Sequence, residues 1–247
     1  MRKKLSIIAA TALVSVILPA NQAVSCGRDF FVCDPASLPE GGASLFLPTF
    51  NWERHNADDE FELSLGLVHP LTKRIAFDAY TSFADEGDGW EIETLTPGFL
   101  FDLSPDLENS PVRVGLFTAC KFALNGADDE DFISANQLDA RDQFESRVII
   151  ETDLTERTGL VFNLLSTVYD DKARWGYAAG LRHEFREGLG GSLEFIGDFQ
   201  QQGKHEVFAN VWWEPTEGIV LRAGVGAGLS ERAEDFTLLT GLIFEFS

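Results

Sequence analysis

"DFTLLTGLIFEFS", residues 235–247, sets Phe236, Leu238, Leu242, Phe244 and Phe246 at every second position. Successive side chains of a β-strand point to opposite faces, so this period describes a strand with one apolar face. The other face includes Thr237, Gly241 and Glu245. The surrounding chain is strongly acidic, with 40 Asp and Glu against 19 Lys and Arg and a formal net charge of −21. What decides the fold is therefore the medium that the apolar face meets.

The same alternation continues upstream. In "GIVLRAGVGAGL", Ile219, Leu221, Ala223, Val225 and Leu229 share one face, and Val220, Arg222, Gly224, Gly226 and Gly228 share the other. "EFELSLGLV", "RIAFDAYTSF", "VRVGLFTACKFAL", "FESRVIIETDL", "GLVFNLLSTVY", "RWGYAAGLRHEF", "GGSLEFIGDF" and "HEVFANVWWE" follow the period too. With "GASLFLPTFNW" and "WEIETLTPGFLFDL" the count is twelve strands, and Pro97-Gly98 predicts a bulge in the fourth. The connections alternate as well. "HPLTK", "SPDLENSP", "TERT", "REGL" and "EPTEG" are turn-like, whereas "ERHNADDE", "ADEGDG", "NGADDEDFISANQLDARDQ", "YDDKA", "QQQGK" and "SERAED" are more acidic and generally longer.

Strict alternation of connections predicts an up-and-down antiparallel meander whose two ends face different environments. The non-greasy face carries charges of both signs: Arg113, Lys121, Arg147, Arg182 and Arg222 against Glu145, Glu151, Glu184, Glu194 and Asp198. Aromatics gather near the strand ends, with Trp52, Trp90, Tyr169, Trp175, Phe199 and Phe236 toward the loops and Phe185, Trp213 and Phe246 toward the turns. An even strand number, short turns at one end, long loops at the other and two aromatic girdles are the marks of a bacterial outer-membrane barrel. The expectation is an all-β transmembrane barrel of about twelve strands over residues 42–247, with both termini in the periplasm of a Gram-negative cell. The soluble alternative, a periplasmic sandwich or lipocalin-like barrel, would turn the apolar face inward.

The other end of the chain agrees with export. Arg2, Lys3 and Lys4 precede an apolar run from Leu5 to Leu18 and then "PANQAVSC", the layout of a secretory signal over residues 1–25. "AVSC" loosely resembles a lipobox ending at Cys26; the alternative is ordinary cleavage near Ala23. Cys26 and Cys33 stand close enough to bridge in an oxidising compartment, and Cys120 then has no partner. No later apolar run has the length a helix needs to cross a bilayer. The acid excess argues against nucleic acid and against docking on anionic lipid heads. The partners expected are outer-membrane lipids and lipopolysaccharide, the barrel assembly machinery and a small solute; no cofactor is expected.

The terminal strand resembles the assembly signal of outer-membrane barrels, a Gly followed by alternating aromatics, through Gly241, Phe244 and Phe246. "LRAGVGAGLSERAEDFTLLTGLIFEF", with the turns "LTERTGLVF" and "WEPTEGIVLRAG", is similar to the outer-membrane barrel family named for the meta-pathway of phenol degradation. The likeness runs from about residue 60 onward. It implies passive passage or export of small molecules, hydrophobic ones among them, and says nothing of phenols in particular.

Other constellations carry less. "GVGAGL" has no helix after it, so its glycines read as small lumen-facing residues rather than a phosphate loop. Asp128, Asp129, Glu130, Asp131, Asp139 and Asp142 offer oxygen ligands without the spacing of a helix-loop-helix calcium site, and read as a solvated loop or a diffuse divalent-ion patch. His69, expected in a turn, and His183 lie at the wrong depth for a rim lipase; His55 or His205 near Asp85, Asp88 or Asp170 is a pairing expected by chance, so no enzyme is predicted. The lumen charges either line a selective constriction or pair across strands to fill a closed scaffold. Residues 26–41 form a short periplasmic segment that either enters the lumen or hangs free.

Overall fold

The computed structural model describes residues 29–39, 42–55, 58–85, 89–105, 110–124, 142–169, 172–200 and 203–246. The signal segment, Cys26 and the acidic stretch 125–141 lie outside these. Twelve strands follow one another: β1 (Ser44–His55), β2 (Asp58–Thr72), β3 (Ile75–Asp85), β4 (Trp90–Asp102), β5 (Val112–Ala123), β6 (Gln143–Thr155), β7 (Thr158–Tyr169), β8 (Lys172–Arg186), β9 (Leu189–Asp198), β10 (His205–Thr216), β11 (Ile219–Gly228) and β12 (Phe236–Phe246). Each pairs antiparallel with its neighbours in sequence, and β12 closes on β1 from Ser44↔Phe246 to Arg54↔Phe236. The terminal strand thus completes a cylinder, which leaves no unpaired edge.

Closure decides which solvent the apolar face meets. Val148, Ile150, Leu160, Phe162, Leu181, Leu193, Phe195 and Val225 are exposed on the exterior, an apolar band suited to hydrocarbon, where every backbone polar group must be paired within the protein. At the rims Trp175 is 50% and Phe185 58% exposed. Aromatic contacts link the seam on the outside: Phe46 stacks on Phe244 with centroids 6.4 Å apart, and Trp52 meets Phe236 edge-on at 5.7 Å. The soluble reading, with the greasy face inward, is overturned by this placement.

The two ends differ as the connections predict. Two-residue turns at Lys73-Arg74, Glu156-Arg157, Glu187-Gly188 and Glu217-Gly218 join strands at one end. Gly188 and Gly218 take φ of 70° and 76°, which other residues adopt only at a cost. The β4–β5 connection, residues 103–111, contains "SPDLENSP" and belongs to the same end but is longer than a tight turn.

Three local expectations need correction. No bulge forms at Pro97-Gly98: Pro97 pairs with Ala79 and Gly98 with Asp78, and the shift in register against β3 falls between Ser82↔Thr94 and Phe83↔Ile92, at Glu93. Proline has no N–H to donate, and its effect appears on the β5 side, where pairing passes from Leu95↔Phe122 to Gly98↔Ala119 without changing register. Tyr169 does not join a girdle. It is 5% exposed, because it shares the inward parity of Val161, Asn163, Leu165 and Thr167. His69 is not in a turn but in β2, paired with Phe77.

Candidate functional site

The inward face is built by parity alone, and it is less wet than its charges suggest. Ile149, Val161, Leu165, Ile196, Phe208, Trp212, Val220, Leu239 and Ile243 are buried inside the cylinder. They share one core with Phe30, Val32, Ala36 and Leu38 of the segment that precedes β1. The two placements left open by the sequence are thus decided for the described part: residues 29–38 lie within the lumen.

The segment is a hook. Its apex reaches mid-bore, where the Glu194 carboxylate accepts hydrogen bonds from three successive backbone N–H groups, Phe31 at 3.0 Å, Val32 at 2.8 Å and Cys33 at 2.9 Å. Successive amides converging on one anion form a nest, here occupied by a wall carboxylate. Ser192 and Asn210 donate to the same carboxylate at 2.9 and 2.5 Å. Asn163 accepts from the Asp34 N–H at 2.7 Å and donates to the Asp34 carbonyl at 3.0 Å, as a neighbouring strand would. Both arms lead back toward the turn end: Ala36 N–H donates to Glu151 at 3.0 Å, and Asp29 pairs with Arg182 at 3.1 Å.

Each lumen residue expected from the sequence can now be placed. Arg147 ion-pairs with Asp34 and lies 3.5 Å from Glu145. Arg182 bridges Asp29 and Asp153. Arg113 pairs with Glu151 at 2.8 Å and Asp153 at 3.0 Å. Arg222 donates to the Phe30 carbonyl at 2.8 Å, its guanidinium 4.4 Å from the Phe31 ring centroid. Lys121 is buried, Asp198 accepts from the Gln200 N–H near the loop end, and Glu184 accepts from the Gly188 N–H within its turn. Arg147, Glu151, Arg182, Glu194 and Arg222 therefore converge on the segment, while Glu184 and Asp198 serve the two ends.

Glycine supplies the room. A Cβ on Gly180 would lie 2.6 Å from the Phe30 ring, and one on Gly115 3.1 Å from the Ala36 Cα. In "GVGAGL", Gly224 and Gly226 leave space for Asn210 and Phe208 of β10. What the hook leaves open is a cavity of about 160 Å³ toward β1–β4, with Leu47, Val68, Leu100 and Phe117 as apolar lining and Asp78, Tyr80 and Arg147 among its polar groups.

The loop end is closed differently. Gly228 N–H donates to the Glu234 carbonyl at 2.8 Å, Ala233 is buried, and Lys204 pairs with Glu234 at 2.7 Å. Burial opposes the charge of Lys204, but Glu206, Glu53 and Glu234 outweigh it and hold the amine above its ordinary value. Because the folded value is raised, this stabilisation is fully present below the unfolded value of roughly 10.4 and is lost only as pH rises through the folded one. Lys204→Met is expected to cost about 3–5 kcal/mol in denaturant unfolding, since it leaves buried carboxylates uncompensated.

Asp29, Asp34, Asn163, Ser192 and Asn210 were not singled out from sequence. The available signal was a polar residue on an inward parity otherwise apolar, as for Asn163 between Val161 and Leu165. Cys33 is a buried free thiol, and its expected partner Cys26 lies outside the described residues; Cys120 is free and exposed on the outer face. On the outer surface Ser44 Oγ lies 2.8 Å from His69 Nδ1, at the turn end of the barrel.

No family model matches the chain, and no curated protein matches it. Among solved structures it is similar to the KdgM porin in complex with disordered oligogalacturonate, with 7% identity over 83% of this chain and 99% of that one and a TM-score of 0.60. An outer membrane channel from Pseudomonas putida F1 gives 17% identity, 86% and 99% coverage and a TM-score of 0.59. Outer membrane phospholipase A from Escherichia coli gives 11% identity, 87% and 92% coverage and a TM-score of 0.52. At such identities the likeness is one of fold, and the fold is that of the outer-membrane β-barrels.

Proposed function

We propose that this protein is an outer-membrane channel for the passive passage of small solutes, its bore narrowed by residues 29–38. The observation that carries the reading is the eccentric cavity of about 160 Å³, which lies beside a segment whose apex and arms are held by hydrogen bonds and ion pairs as well as by apolar packing. Polar contacts can be exchanged for water when the segment moves, so the narrowing is reversible in principle. The reading agrees with the roles that the names of the KdgM porin and the Pseudomonas putida channel give those proteins. It also agrees with the resemblance to the phenol meta-pathway family, although that family has no other support here.

In this reading both termini are periplasmic, the short turns face the periplasm, and lipopolysaccharide surrounds the loop rim. The chain reaches the membrane through the barrel assembly machinery and is not an enzyme. The rival reading is a closed barrel with acidic surface loops, favoured by the same network that seats the hook. Planar-bilayer recording of the refolded barrel decides between them. Small discrete current steps are expected from the wild type and larger ones from the Asp29→Asn, Asp34→Asn double variant. Silence from both correctly folded proteins would leave the scaffold.

A further inference from the structure

The wall holds the hook by its backbone. Glu194, Asn163 and Glu151, each 1% exposed or less, receive the N–H groups of Phe31, Val32, Cys33, Asp34 and Ala36. Asn163 and Arg222 donate to the carbonyls of Asp34 and Phe30. The ion pairs Arg147–Asp34 and Arg182–Asp29 read the charged side chains of the segment. Phe30 meets Gly180 and Ala36 meets Gly115, so at these two points the wall sets size more than identity.

Main-chain hydrogen bonding combined with permissive pockets is how proteins bind peptides of varied sequence. From this geometry we infer that the lumen wall is a receptor for short unstructured peptides, which bind by displacing residues 29–38. The inference rests on the channel reading for access to the bore and deepens it by naming a solute class. The hook already occupies the wall groups that a peptide would use, Glu194, Asn163, Glu151 and Arg222, so occupancy by the hook and by a peptide in trans is exclusive at that seat. The hook competes as a tethered ligand, at an effective concentration on the order of millimolar.

The test uses the full refolded chain and a fluorescein-labelled, end-capped decapeptide with the composition of residues 29–38 in scrambled order. A second version carries N-methyl groups on three successive amides. Anisotropy is read on the wild type and on the Asp29→Asn, Asp34→Asn variant, which loses two ion pairs of the hook and keeps every wall group. The scrambled peptide is expected to bind the variant at least about tenfold more tightly than the wild type, and N-methylation to weaken it by at least about a hundredfold. Should the double variant fail to refold, Phe30→Ala loosens the hook from Gly180 instead. Binding by the native order alone, equal binding of the N-methylated form, or no binding to a loosened barrel overturns the proposal. Current recorded on the same preparations separates the two ideas. Steps without peptide binding reject the solute class and keep the channel, whereas binding without steps rejects the channel and, with it, peptides as its solute.

Discussion

Glu194→Leu is expected to raise the mean current through the refolded barrel by about tenfold or more. Glu194 is fully buried and takes three backbone N–H groups of the hook. Hydrogen bonds to an ionised group contribute about 1.5–3 kcal/mol each, so losing three removes about 5–9 kcal/mol from the seated state. Moving a two-state equilibrium from 1:99 to 99:1 takes about 5.5 kcal/mol, so a loss of this size weighs heavily against seating, opposed by the contacts that Asn163, Arg147, Arg182 and Arg222 keep with the hook. Leucine also deprives Ser192 and Asn210 of their acceptor, and folding must be checked by heat-dependent gel migration. Glu194→Gln keeps one acceptor oxygen and should fall between. An unchanged current from a folded Glu194→Leu barrel would mean that the hook does not limit passage.

The second large effect concerns the exterior. Val148→Arg sets a charge midway along β6, on the face where Val148 and Ile150 are exposed to the surroundings. At a bilayer midplane this costs about 2–4 kcal/mol, and near the interface about 0–1 kcal/mol. Leu154→Arg, at the turn-side rim of the same strand, should therefore be nearly neutral. Denaturant titration of the barrel refolded into vesicles reads both. Equal midpoints for the two variants would mean that water, not hydrocarbon, covers the cylinder.

The strands were legible because lipid imposes a regular contrast: exterior positions are predominantly apolar, so period two survives along the segments. That regularity also carried the strand count, the closure by Phe236–Phe246 and the sidedness of the connections. Pro97 misled because a missing donor suggests a bulge, while the sheet here simply forgoes the pairing. Tyr169 misled because its residue type suits an interface but its parity points inward. The hook was the least legible part. Its ten residues have no period, and the group that seats its apex, Glu194, lies more than 160 positions away in sequence. Charges on an inward face announce that something polar will be met there, yet only the folded cylinder shows that the chain meets itself.

The closing seam has a consequence for assembly. The hook reaches walls contributed by β5 through β9 and by β11, and Phe31 also lies near Gly241 of β12. Its seat therefore spans β5 to β12 and is complete only when those strands are in place. Contacts so distant in sequence form late and slowly. Seating is thus expected to come late in folding, because a sheet that lacks any of those strands lacks part of the seat.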